Sequence, residues 1–483
     1  MNRFLLVLAL VAALLLVLII RPANAALSQA DFFVYLPLVA RAPNPTPSPS
    51  PSPSPNPSPG PAANNLAVSA ATYLGGSGSD NGTAVDVAPD GTLVMGGTFS
   101  GYTPPGITPV TLLNGTNGAI VRLSSNGRSI LSMTRIGTRV TDLEVTGSGQ
   151  IVVCGDFGVA VLNATATSTV WSAAPGTGNR CAVGSDGTVA VLVGGSVYVY
   201  DNAGNAVANW GVSGSAKNDL AVDGGNQQII VTGFVQDNGY KCSQLQNAFV
   251  RSFSYSGQAK WKSYDWNKVQ AGDLSLCADT RGYRVAIGRD GKLYFAGESA
   301  GGNTIYSRDP KNISTALGQD RLPKTDMYNN PYNTSSNHIT FYARLNPVDG
   351  SLEKGQFLLS RLSSGKGNTI LPRSIMADTN GRLYVAGISA CCSENRKDQQ
   401  LAGIPIKPYE GDAFLLIVRP DFGARVHWTP FPGGGEPAVS VRNGTAAFVT
   451  SSTSGNLNTY NAIQAAISTG PDAYIAAWQQ SAE

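Results

Sequence analysis

GTAVDVAPDGTLVMGGTF, residues 82–99, is the stretch from which the rest of the chain is read. Apolar and polar positions alternate, a Pro-Asp-Gly turn follows, and a second β-branched run closes on Gly-Gly, which is the pattern of a β-hairpin. The phrase returns as VTDLEVTGSGQIVVCGDF (140–157), NRCAVGSDGTVAVLVGG (179–195), NDLAVDGGNQQIIVTGFV (218–235), YRVAIGRDGKLYFAGES (283–299), RSIMADTNGRLYVAGIS (373–389) and PAVSVRNGTAAFVTSST (437–453), seven copies in all. A lone hairpin cannot bury its own faces, so the copies stack on one another; strand-only units stacked radially make a propeller.

After each of the first six copies comes a weaker repeat of the same kind, for example GAIVRLSSNGRSILSMTRIG (118–137) and NAFVRSFSYSGQAKWKSYD (247–265). Two hairpins make a four-stranded blade, the first phrase inner and the second outer. The seventh copy has a third strand in DAYIAAW (472–478) but no fourth. AATYLGGSG (70–78) has the pattern that ends the other outer hairpins, and pairing it beside 472–478 closes the ring and hides the exposed edges. The expected fold is therefore all-β, a single seven-bladed β-propeller over 66–483 closed by its N-terminal strand.

TYLGGSGSDNGTAVDVAPDGTLVMGGTF (72–99), with the later DAF and DAY strand starts, resembles the SBBP repeat family of bacterial seven-bladed β-propellers. The resemblance implies the propeller architecture and an exported bacterial setting, and it implies no single activity.

The segments before the propeller agree with export. Met1-Asn2-Arg3 precedes an apolar run over 4–20, and Ala23-Asn24-Ala25 fits a small-x-small cleavage site, so 1–25 reads as a signal peptide. Residues 26–42 form a short apolar segment, and 43–65 a Pro/Ser-rich linker in which every second residue from Pro43 to Pro61 is proline. Such a run is held near polyproline II at about 3.1 Å per residue and acts as a semi-rigid spacer. Membrane contact is expected only through the N-terminal segment, if it is retained as an anchor. The chain is expected to be secreted or held at the cell surface.

Composition excludes other classes. Formal charge is +3, with Lys and Arg scattered, so no electrostatic footprint for nucleic acid is present. His338 and His427 lack ligand-spaced neighbours, and no Walker loop, G-x-S-x-G elbow or EF-hand pattern occurs; no cofactor and no metal are expected. Six cysteines in an exported chain are disulfide candidates. Cys154 and Cys181 fall in neighbouring blades, where they read equally as small buried residues. Cys242 and Cys277 fall in loops of one rim and are expected to pair. Cys391 and Cys392 are adjacent, and close a strained ring, pair elsewhere or stay free.

Two constellations carry the functional expectations. The insertions 299–339, 390–411, 452–471, 235–246, 100–117 and 265–282 all fall on one rim, where binding usually resides. Tyr306, Tyr328 and Tyr332, with Tyr240 and Trp266, are the expected contacts for a sugar or a protein partner. Aligning the inner strands on their turns gives Ala84, Asp142, Arg180, Asp219, Arg284, Ser374 and Ala438 at one position near the channel mouth. Asp142 with Arg180, and Asp219 with Arg284, read either as inter-blade salt bridges or as groups that hold or process a charged substrate. The expected function is non-enzymatic recognition of an extracellular glycan or protein. The alternative is a polysaccharide-directed hydrolase or lyase using the channel-mouth Asp and Arg residues.

Overall fold

The computed structural model describes residues 66–331 and 338–480. Its main sheets are seven four-stranded antiparallel blades, one for each copy of the hairpin phrase. They span 80–136, 140–173, 178–211, 216–263, 280–358 and 370–432; blade 7 combines 438–480 with Leu66–Leu74. The first strand of each repeat lies innermost and borders a central channel. Blade 1 carries one extra short strand, Val110–Leu112, parallel to its outermost strand. The signal-peptide, apolar-segment and linker readings fall outside the described residues.

The hydrophobic interior lies between blades. Among the described residues seven buried clusters occur, and each draws on two neighbouring blades. The period of two is the cause: Val85 and Met95 of blade 1 join the core shared with blade 7, whereas Ala84 and Val94 join the core shared with blade 2. A strand buried on both faces reads as a near-continuous apolar run, as in Ile151–Gly155, where every residue is buried.

Ring closure follows the expected pairing. Leu66–Leu74 runs antiparallel to Asp472–Gln480, from Leu66 opposite Gln480 to Leu74 opposite Ala473. Tyr73 is fully buried, edge-on to Tyr474 at 5.4 Å, and its hydroxyl donates to Leu457 O at 3.2 Å and accepts from Leu457 N at 2.9 Å. The opposite edge of the strand is covered by the blade 7 loop, since Ala71 N donates to Tyr460 O at 2.7 Å and Tyr73 N to Gln464 O at 3.1 Å.

One glycine of the repeat has a geometric reason. In six blades the first strand is bulged at one position, at Thr83, Thr141, Asn179, Asn218, Tyr283 and Arg373. The bulge presses the first strand's backbone against the second. A Cβ on Gly97 would lie 1.9 Å from Asn81 O, and Gly155, Gly233, Gly297 and Gly387 meet the corresponding carbonyls in their blades. In blade 3 the equivalent residue is Val193.

The rims differ as expected, with one refinement. Turns on one rim stay at the hairpin minimum, as at Pro89-Asp90-Gly91, and all long connections lie on the other. The insertion at 235–246 is mostly strand: Gln228–Asn238 and Gln244–Ser254 prolong their ladder to Asn238 opposite Gln244. Cys242 at its tip is disulfide-bonded to Cys277 in the following connection, which also holds the short helix α1, Lys268–Asp273, capped by Asn267. Cys154 and Cys181 are free thiols buried between blades 2 and 3, and Cys391 and Cys392 are free, their Sγ atoms 2.6 Å apart.

Two measurements check this architecture. A chain starting at Asn81 lacks the closing strand, so it should aggregate or melt many degrees below the chain that retains residues 62–80; equal stability would refute the closure. Gly97→Ala should destabilise by about 3 kcal/mol through backbone overlap, whereas Gly211→Ala, which meets nothing within 4 Å, should leave the melting temperature nearly unchanged.

Candidate functional site

The innermost strands pose a hydrogen-bonding problem, because their channel-side N–H groups have no neighbouring strand. Side chains of the preceding blade supply several of the acceptors. Asp86 accepts from Val145 N at 2.7 Å, Asp142 from Cys181 N at 3.2 Å, Glu144 from Val183 N at 2.9 Å and Asp219 from Val285 N at 3.1 Å. Bulge residues add a second clasp: Thr83 donates to Val140 O at 2.8 Å, Thr141 to Gly178 O at 2.5 Å and Asn218 to Gly282 O at 2.7 Å, each in the next blade.

These strands enclose a cavity of about 1950 Å³ lined by all seven blades. Near the long-loop end lies the tier read from the alignment. Arg180 sits between two carboxylates, Nη1 3.8 Å from Asp142 and Nε 3.9 Å from Asp219. The expected Asp142–Arg180 pair is present. The expected Asp219–Arg284 ion pair is absent among the described residues, although the Arg284 charge still pulls on Asp219: Arg284 reaches to blade 6, its Nε donating to Arg373 O, while its Nη1 donates to Tyr283 O of its own strand at 2.8 Å.

The turn end is crossed by arginines. Arg289 of blade 5 reaches Asp86 of blade 1, 3.0 and 3.3 Å from its two oxygens, and Arg442 of blade 7 donates to Val145 O at 2.8 Å and Thr146 O at 3.1 Å on blade 2. Ser440 also donates to Asp86. Asp86, Glu144 and Ser440 lie two residues beyond the aligned tier and Arg442 four, so the same period of two carried their signal. Arg289 and Arg373 had none, since a turn and a bulge escape that period.

Burial dominates the channel's electrostatics. It pushes Asp142 up to about 6 against the pull of Arg180, and Glu144 up to about 7 against that of Arg289. Asp219 is raised by the same cause. Arg284 is lowered to about 10 by burial and by the like charge of Arg180.

The rim aromatics separate into different roles. Tyr306 is fully buried, stacked on Phe341 at 4.5 Å, with its hydroxyl donating to Arg281 O at 3.1 Å. It is a core residue and cannot serve as a contact: Ile305, Ile313 and Leu322 fold the long loop down onto the blade 4–5 core and carry Tyr306 with them. Trp266 is half-buried against that core. Tyr328 is half-buried with the Arg425 guanidinium 5.8 Å from its ring. Tyr240 is 49% exposed and donates to Asp273 at 2.8 Å. Tyr332 lies outside the described residues.

Other exposed apolar side chains on this rim are Val269, Met327, Leu362, Ile404 and Tyr409, none of them singled out in the sequence. A buried polar knot, also missed, lies beside the blade 4–5 loops. Glu298 receives Arg281 Nη1 at 2.7 Å, His338 Nδ1 at 2.5 Å and the Tyr283 hydroxyl. The hydrogen bond to Glu298 raises the His338 pKa.

No family model and no curated protein matches the chain. Among solved structures, a chain of Kuenenia stuttgartiensis hydrazine synthase is 12% identical, with a TM-score of 0.46, 76% of this chain and 92% of that chain being covered. Saccharomyces cerevisiae Sqt1 is 11% identical, with a TM-score of 0.41 and coverage of 80% and 83%.

The raised carboxyl pKa values set a pH dependence. A carboxyl that titrates higher in the folded chain stabilises it fully below the unfolded value, and that contribution is lost as pH rises through the folded one. For Asp142 and Glu144 the window runs from about 4 to about 7. The double variant Asp142→Asn, Glu144→Gln should therefore gain about 1–3 kcal/mol on the natural chain between pH 4 and pH 8. Melting temperatures of both across that range check it, and a pH-independent difference would refute the shifts.

Proposed function

We propose that this chain is a secreted or cell-surface recognition propeller that binds an extracellular glycan or protein on its long-loop rim without transforming it. The observation that carries the reading is the contrast between rims. One keeps minimal turns, whereas the other bears every long connection and the exposed Tyr240, Val269, Met327, Leu362, Ile404 and Tyr409. Fixing an extra loop residue costs about 1–2 kcal/mol of backbone entropy, so growth confined to one edge calls for a return other than stability. Exposed aromatic and Met side chains suit the core of an interface. The channel carboxylates point the same way, because Asp142 and Asp219 are engaged by Arg180 and by backbone N–H groups. The SBBP resemblance and the N-terminal export pattern supply the setting.

One observation favours the alternative, a polysaccharide-directed hydrolase or lyase: burial holds Asp142 and Glu144 near neutrality, as general acids require. Glycan-array and surface-capture binding of the chain separates the readings when combined with a polysaccharide turnover screen. The variant Tyr240→Ala, Met327→Ala, Tyr409→Ala should keep the natural melting temperature and bind about 1–3 kcal/mol more weakly. Undiminished binding would refute the rim site, and turnover abolished by Asp142→Asn would establish the enzyme.

A further inference from the structure

Two of the channel's guanidiniums, those of Arg180 and Arg284, leave donors without an acceptor among the described residues. Arg180 makes no hydrogen bond among the described residues; its two carboxylate neighbours stand at 3.8 and 3.9 Å, beyond hydrogen-bond contact, and already accept backbone N–H groups. Arg284 makes no ion pair among the described residues. Its Nε and Nη1 serve backbone carbonyls, and its Nη2 has no acceptor among the described residues. Arg373 is paired with Glu436, a mouth residue whose side chain is 68% exposed, and its guanidinium lies 5.4 Å from the Tyr283 ring. All three arginines line the same cavity, from blades 3, 5 and 6. Within this tier the three arginines face three carboxylates, Asp142, Asp219 and Glu436, so the charges balance, and what is left for a ligand is the unspent donors of Arg180 and Arg284.

A guanidinium is a planar fork that carboxylate and sulfate oxygens match two at a time, in hydrogen bonds about twice as strong as neutral ones. Arginines that leave donors unspent and repel one another are stabilised by an oxyanion between them. The surrounding wall shows what else that molecule carries. It mixes amide and hydroxyl groups, among them Asn81, Asn179, Thr141, Thr369 and Ser374, with Val, Leu and Ile side chains, and Tyr409 is its one aromatic side chain among the described residues. Such a wall offers hydrogen bonds to the hydroxyls of a sugar and apolar surface to its ring faces. A cavity of about 1950 Å³ has room for several sugar residues.

We propose that the long-loop end of the channel binds an acidic glycan, with one carboxylate or sulfate ester held by Arg284 together with Arg180 and Arg373. The site deepens the recognition reading and rests on it. The glycan enters from the rim that bears the exposed apolar side chains, and the arginine bridges at Asp86 and Val145 narrow the far end.

Calorimetric titration of the full chain tests the site. The ligands are a galacturonate tetramer, its carboxyl-reduced counterpart, a sulfated galactan tetramer and a glutamate tetrapeptide. The expected result is binding of the uronate or the sulfated oligomer, with no binding of the carboxyl-reduced or peptide ligand. Preference between the first two identifies the anion. Arg284→Met should weaken binding by roughly 10- to 100-fold, a loss of about 1.4–2.8 kcal/mol, and Arg284→Lys should fall between. If Arg284→Met melts early, Arg180→Met and displacement of the oligomer by inorganic sulfate on the natural chain take its place. Equal affinity of natural and variant chains, equal binding of the carboxyl-reduced oligomer, or preference for the peptide would overturn the site. If the acidic oligomers fail while array binding persists and is lost in the rim variant, the channel site is wrong and the rim reading stands. If nothing binds anywhere, both fall.

Discussion

Everything in this propeller depends on burial that no blade achieves alone. Each sheet is apolar on both faces, and each hydrophobic cluster belongs to a junction between two blades. Fully burying a Val, Leu, Ile or Phe side chain is worth about 1.5–3 kcal/mol, and a blade at an open end would forfeit that on one whole face. This is why the seventh blade borrows its fourth strand from the start of the domain, and why Tyr73 is tied to both Tyr474 and Leu457. Closure is the condition for the core.

The same arrangement creates the channel and dictates its chemistry. Inner strands without a partner leave backbone N–H groups facing the lumen, and carboxylates one blade back accept them. Acidic side chains along these strands therefore have a structural task before any chemical one. Bulge residues and arginines meet the carbonyls of the same edge, as Thr83 does at Val140 O and Arg284 at Arg373 O. Arg289 and Arg442 are used as struts across the turn end. Arg180 and Arg284 keep donors in reserve.

The rim follows another logic. Its longest insertion spends its own apolar side chains on the blade 4–5 core, which anchors the loop and removes Tyr306 from the surface. The Cys242–Cys277 disulfide and the helix Lys268–Asp273 fix the neighbouring connection, so Tyr240 and Val269 stand on a braced platform. Rigid support beneath exposed apolar groups lowers the ordering cost of an interface.

The sequence by itself determined what repeats and what is local. Blade number, blade order, the borrowed closing strand and the placement of every insertion on one rim follow from a period of two punctuated by turns. That Cys242 and Cys277 meet follows from two loops sharing a rim. What only the tertiary structure decided is which side chains meet across the ring. Arg289 and Asp86 are 203 residues apart in sequence and face each other across the lumen, a pairing no local pattern encodes. Arg180 lies between two aspartates, and Arg284 donates to Arg373 O, contacts between blades that the aligned position alone does not encode. The fate of the rim tyrosines was equally hidden: Tyr306 and Tyr240 are the same residue type in similar polar surroundings, and burial separates them only once the loop has found the core beneath it.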